Sequence, residues 1–136
     1  MEKIQQTYKI LFMPHIPVLL DEVVKYLKPE LGGFYVDCTF GAGGYSEKIL
    51  QMGADKLIAF DRDESVLPIA REFTKKYGDK FEFHNVANSK IGEVLAPLSG
   101  KIDGIVYDIG VSSMQIDTAE RGFQPLCLVD SEQPCF

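Results

Sequence analysis

The sequence predicts an α/β domain built on a parallel, doubly wound sheet of about four strands. Three observations predict it. Short apolar runs alternate with stretches of helical spacing in the order β-α-β-α-β-α-β, a rhythm that belongs to right-handed crossovers within one parallel sheet. The run Lys56-Leu57-Ile58-Ala59-Phe60 is almost wholly apolar, as in a strand covered on both faces. Phe34-Tyr35-Val36-Asp37 leads into a glycine turn, Gly41-Ala42-Gly43-Gly44, at the carboxyl end of a strand, where open α/β sheets bind ligands.

Taken in order, residues 1–13 read as a loose arm, and Pro14 and Pro17 hold the next segment extended. Asp21 is placed to cap a helix running to about Lys28, with Val23, Val24 and Leu27 on one side. Pro29 and Gly32-Gly33 end it. The first strand covers residues 34–37. The next helix begins near Gly44, turns Ile49, Leu50 and Met52 inward, and closes at Gly53. The second strand covers residues 56–60. Asp63 then caps a helix over residues 64–77, whose start Pro68 makes irregular. Gly78-Asp79 turns the chain into a third strand over residues 81–85, and a weaker helix over residues 89–95 stops at Pro97 and Gly100. The fourth strand covers residues 102–107 and ends at Asp108. Residues 110–123 are polar and rich in turn formers, and residues 124–136 fit no periodicity.

The chain has 136 residues, 46% of them hydrophobic, enough for one folded domain with one core. A net charge of -6 argues against a nucleic-acid surface on this segment, since phosphate binding needs clustered Lys and Arg. Three cysteines (Cys38, Cys127, Cys135) without metal-ligand spacing point to free thiols in a reducing compartment. No apolar run reaches the roughly 18 residues of a membrane span, and the first ten residues carry no signal-peptide core. Cytoplasmic residence is the expectation.

The glycine turn lacks the third glycine of the G-x-G-x-x-G dinucleotide fingerprint, which seats a pyrophosphate on a helix N-terminus. A cofactor without phosphates, such as S-adenosylmethionine, needs only close backbone approach; the alternative is a plain strand-to-helix turn. Asp61 follows Gly44 by 17 positions, at the end of the second strand, where a carboxylate accepts both ribose hydroxyls of an adenosine. Arg62 pairs with it or is solvated. Asp108 is a candidate to orient a cofactor ammonium or a substrate amine, or else a turn-forming residue before Gly110. Ser112 and Ser113 read as turn residues. Gln115 is a possible donor to cofactor or base, or an exposed polar residue. His84 and Asn85 end the third strand near the place of an adenine. His15 is read as structural, and Cys38 as core packing.

Four separated blocks together carry a resemblance: His15-Ile16-Pro17-Val18-Leu19; Asp37-Cys38-Thr39-Phe40-Gly41-Ala42-Gly43-Gly44-Tyr45-Ser46; Asp61-Arg62-Asp63; and Asp108-Ile109-Gly110-Val111-Ser112-Ser113-Met114-Gln115-Ile116-Asp117 through Glu120-Arg121-Gly122-Phe123. The chain resembles the bacterial 16S ribosomal RNA cytidine-N4 methyltransferases, the MraW/RsmH family, over about residues 14–123, in a wording similar to the α-proteobacterial versions. The resemblance implies a Rossmann-like class I methyltransferase fold, with S-adenosylmethionine as cofactor and 16S RNA of the small ribosomal subunit as partner. It implies methyl transfer to the exocyclic amine of a cytosine, without a metal. Its cofactor site falls on Gly43, Gly44, Tyr45, Asp61, Ala87, Asp108 and Gln115. Ala87 departs from the family, which carries a larger apolar or aromatic residue there.

After Phe123 the chain departs from the family altogether, as by truncation or a frameshift. The expectation is a flexible arm (1–13), the cofactor-binding half of a methyltransferase domain (14–123) and a divergent, irregular tail (124–136). In the seven-stranded family sheet, strand four lies beside strand one with a fifth strand beyond it, so residues 102–107 become an exposed apolar edge. A marginally stable, catalytically silent chain is expected on that basis. The competing readings are a non-catalytic remnant that binds the cofactor at most, and a nicotinamide-binding oxidoreductase fragment, which the missing third glycine disfavours.

Overall fold

The computed structural model describes Pro17 and residues 19–109. The expected arm (1–13), the tail (124–136), and His15, Ser112, Ser113, Gln115, Cys127 and Cys135 lie outside the described residues. Four parallel strands, β1 (Phe34–Asp37), β2 (Lys56–Phe60), β3 (Phe81–His84) and β4 (Gly104–Val106), form one sheet in the order β3-β2-β1-β4. β1 is central. It pairs with β2 through Phe34↔Lys56 to Asp37↔Ala59 and with β4 through Tyr35↔Gly104 to Asp37↔Val106.

The helices are α1 (Leu20–Leu27), α2 (Gly44–Met52), α3 (Leu67–Tyr77) and α4 (Asn88–Leu95). The two-residue pleat divides the strands between two cores. Tyr35, Leu57, Ala59 and Phe81 pack with Val24 of α1, Ile49 and Leu50 of α2, and Ala70 and Phe73 of α3. Val36, Cys38, Ile58 and Phe60 pack on the opposite face with Ile91 of α4. Helices on both faces make the sheet doubly wound, as the alternation predicts, and Cys38 is core packing.

Phe40, immediately before the glycine turn, is 2% exposed. Its ring meets Phe73 edge-on at 5.1 Å between centroids and lies 5.2 Å from Phe83 and 5.7 Å from Phe81. Burial of such a ring stabilises the fold by about 2–3 kcal/mol, with more from edge-to-face geometry. At the opposite end of the sheet, the Asp55 and Asp103 carboxylates accept the Gly33 and Phe34 amides at 2.7 and 2.8 Å. The Tyr35 hydroxyl donates to the carbonyls of Leu27 and Gly32, both at 3.1 Å, tying the end of α1 to the sheet.

Several expectations need correction. Asp21 does not cap α1: the cap position is Leu19, and Asp21 sits in the first turn, where its charge suits the helix dipole. Met52, the last residue of α2, is 40% exposed and not turned inward, while Ile49 and Leu50 in the same turn are buried. Asp63 caps a 3-10 turn, Glu64–Val66, through a 2.9 Å bond from the Ser65 amide. The α-helix starts only at Leu67, with Pro68 in its first turn, which needs no amide donor. β3 ends one residue early, at His84. β4 is half the expected length, since among the described residues only β1 pairs with it.

Candidate functional site

The site is assembled at the carboxyl tips of β1, β2 and β4. Asp37 is the last residue of β1 and shares the face of Tyr35, so its side chain meets the N-terminus of α2. It is fully buried. Its Oδ1 accepts the Thr39 amide at 3.1 Å and its Oδ2 the Ser46 hydroxyl at 2.7 Å. Burial pushes its carboxyl up to about 6, against the lowering effect of those donors; the nearby Asp61 charge raises it further. Sequence reading did not single out Asp37, Thr39 or Ser46. The available signal was an acid ending an otherwise apolar strand.

Between these two anchors runs the turn. Gly41 and Gly43 have φ of 53° and 84°, a region that side chains disfavour. Gly43 has a second reason to be glycine: a Cβ there would stand 2.6 Å from the Phe73 ring. Gly43 caps α2, and Gly44 is the helix's first residue.

Asp61 follows β2 and is half-buried. Its Oδ2 accepts the Gly41 amide at 2.8 Å and its Oδ1 the Asp63 amide at 2.9 Å. Each carboxylate oxygen keeps a further lone pair for a ligand hydroxyl. The Phe40 amide bonds to the Phe60 carbonyl at 2.9 Å, and the Asn85 side chain donates to the Asp61 carbonyl at 2.9 Å. The tips of β1, β2 and β3 are thus laced together. Arg62 is exposed and forms no ion pair among the described residues.

Beyond β4, the amide of the exposed Asp108 donates to the Thr39 hydroxyl at 2.9 Å. Tyr45 is buried in the main core. Burial first, then the charges of Asp108 and Asp37, raise its phenol. Ala87 is exposed at the N-cap of α4, after β3. The structure therefore gathers Gly43, Gly44, Tyr45, Asp61 and Asp108 around one turn, with Ala87 at the end of the neighbouring strand.

The donor set is acidic. Asp37, Asp61 and Asp108 surround the turn, and none of them has an ion-pair partner among the described residues. Such a set suits a ligand rich in hydroxyls and positive charge, and repels a pyrophosphate. Among the described residues no three His, Cys, Asp or Glu side chains are grouped to hold a metal ion, and no helix is long and apolar enough to cross a membrane.

A glycine turn on β1 with an acid closing β2, in a parallel sheet wound on both faces, defines a Rossmann-like α/β domain of the methyltransferase class. A solved rRNA methylase from Streptococcus thermophilus shares this fold at a TM-score of 0.52 and 18% identity, over 67% of this chain and 55% of that one. The chain belongs to the MraW methylase family, whose model matches residues 12–125. It is 53% identical over 111 residues to the ribosomal RNA small subunit methyltransferase H of Maricaulis maris and 52% identical to that of Zymomonas mobilis. Each match covers 81% of this chain and 33% of the relative, so the chain spans about a third of the length of these curated relatives.

Proposed function

We propose that this chain is the cofactor-holding part of an S-adenosylmethionine-dependent methyltransferase that modifies the N4 amine of a cytidine in 16S ribosomal RNA. The observation that carries the reading is Asp61 bonded to the Gly41 amide at 2.8 Å: the carboxylate suited to a ribose and the bare backbone suited to an aminoacyl tail form one unit. Family membership supports the rRNA substrate. Bound there, S-adenosylmethionine supplies a methyl group on a cationic sulfur.

The residues divide the work by position. Asp61 accepts the ribose hydroxyls. The Gly43-Gly44 backbone would take the aminoacyl part and Ala87 the adenine; Gln115, outside the described residues, is a further cofactor residue by the resemblance alone. Asp108, held by Thr39, accepts an N–H of the cytosine amine and turns its lone pair toward the methyl group. S-adenosylmethionine held at this turn would supply an electrophilic methyl group to that amine, which would give up a proton to solvent and leave the neutral thioether as the other product. Catalysis of this kind is mostly alignment and electrostatics, and the base must first leave its stack.

Calorimetry with S-adenosylmethionine and with NAD tests the cofactor; binding of NAD alone overturns the reading. A methyl-incorporation assay on small ribosomal subunits tests the reaction. A second reading, a chain that binds the cofactor without transferring methyl groups, predicts a different outcome in the same assays. Cofactor binding without incorporation selects it.

A further inference from the structure

We propose that Thr39 is a positioning residue for Asp108: its hydroxyl fixes Asp108 in the crevice between β1 and β4 and so sets the site's preference for an amine-bearing base. The inference rests on the reading of Asp108 as the acceptor of the cytosine amine.

The chain runs outward from β1 to β2 and β3, then returns to the other side of β1 as β4. Open α/β sheets take ligands at the crevice where strand order reverses in this way. Thr39 and Asp108 stand on its two sides, 69 residues apart in sequence, joined by the 2.9 Å bond from the Asp108 amide to the Thr39 hydroxyl.

The two sides differ in how firmly they are held. β1 is paired on both edges. The Thr39 amide donates to Asp37 Oδ1 at 3.1 Å, and the next amide, that of Phe40, to the Phe60 carbonyl at 2.9 Å. Asp37 is bonded in turn to Ser46 in the first turn of α2. The Thr39 hydroxyl thus stands on a fixed mount. β4 pairs over three residues, and among the described strands only with β1. The last backbone bond across this pair among the described residues runs from the Cys38 amide to the Val106 carbonyl at 2.9 Å. Beyond it, Thr39 is the one described residue that bonds to Asp108.

As strand architecture alone, this bond is dispensable. Asp108 is exposed, and water would satisfy its amide. As a mount for the carboxylate it has a use, because an acceptor aligns an amine only when it is itself held in place. The carboxylate lies near the glycine turn: after burial, its charge is the next cause that raises the Tyr45 phenol in the first turn of α2.

The test is the binding of cytidine and of uridine, which carries an oxygen in place of the amine, to the full chain filled with S-adenosylhomocysteine, followed by nuclear magnetic resonance titration. The wild type should prefer cytidine about tenfold, as fits one hydrogen bond to a charged acceptor. Thr39→Val keeps the shape without the hydroxyl and should lose most of that preference, while Thr39→Ser should retain it. Asp108→Ala should lose it as well, and adding Thr39→Val to Asp108→Ala should cost nothing more, since both remove one interaction. Affinity for S-adenosylhomocysteine, measured by calorimetry, should stay within about twofold in both Thr39 variants, as for an interaction the cofactor does not share. Thr39→Ala serves if the valine variant does not fold. A cytidine preference retained in Thr39→Val, or lost only together with S-adenosylhomocysteine affinity, overturns the inference and leaves the cofactor reading in place. A wild type that binds the cofactor but does not distinguish the two nucleosides overturns the inference together with the role of Asp108. A wild type that binds neither S-adenosylmethionine nor S-adenosylhomocysteine removes the cofactor reading, and the inference with it.

Discussion

Gly41 donates its amide to Asp61 Oδ2 at 2.8 Å, so the turn after β1 and the acid after β2 hold each other before any ligand is considered. The carboxylate is oriented by backbone, with its second oxygen fixed by the Asp63 amide at 2.9 Å.

Replacing that carboxylate should therefore cost affinity through two routes. Asp61→Ala removes the acceptor proposed for the ribose hydroxyls and loosens the turn bonded to it. Hydrogen bonds to a charged group contribute about 1.5–3 kcal/mol, so S-adenosylmethionine affinity should fall about ten- to a hundredfold. Calorimetry on a variant with unchanged circular dichroism checks it.

Gly43→Ala should destabilise the whole chain. The substitution meets both a φ of 84° and a ring 2.6 Å from the new carbon; overpacking of this kind costs about 1–3 kcal/mol, in addition to the backbone strain. Pairing it with Phe73→Leu should relieve only the steric part. Denaturant midpoints of the single and double variants separate the two effects.

Asp37 gives stability a signed pH dependence. Its folded-state value of about 6 lies above the ordinary 3.8, so its favourable contribution is complete below about pH 4 and is lost as pH rises through about 6. Relative to Asp37→Asn, which has no carboxyl to titrate there, the wild type should lose stability as pH rises from about 4 to 7, on the order of 2–3 kcal/mol. Glu47 and Glu82, both lowered from their ordinary value, titrate in the opposite sense. For Glu47, the bonds from Lys76 and Tyr77 outweigh burial; for Glu82, the largest cause is its bond with His84. The difference between the two proteins is the quantity to follow.

β4 supplies the fourth prediction. Ile105 and Tyr107 are 53% and 45% exposed on and just after this strand, and no described strand covers its outer side. Ile105→Lys should reduce concentration-dependent self-association, measured by sedimentation or light scattering, because an edge charge blocks strand-to-strand pairing.

Much of this was legible from the amino acids. The bounds of β1 and β2 follow from apolar runs covered on both faces, and the order placing β4 beside β1 follows from the fold class. The misjudged elements are those for which neighbours decide. Met52 has the spacing of a core residue but is left exposed at the end of its helix. β4 reads as six residues by composition and pairs over three, because one partner strand sets its length. Gly43, Gly44, Asp61 and Asp108 were recognisable because glycines and strand-end acids are conspicuous. Asp37 also ends its strand, but its role comes from Ser46, nine residues away on a helix, a pairing that no local pattern in the sequence displays.

Phe40 adjoins the glycine turn by sequence and belongs to the aromatic interior by packing. Melting the interior therefore dismantles the turn in the same step, and whatever grips the turn must hold the interior together. Adding a true ligand should raise the melting temperature of this chain in proportion to the logarithm of its concentration. A simple heating scan across a panel of nucleosides is then a direct way to ask which of them the molecule was shaped to hold.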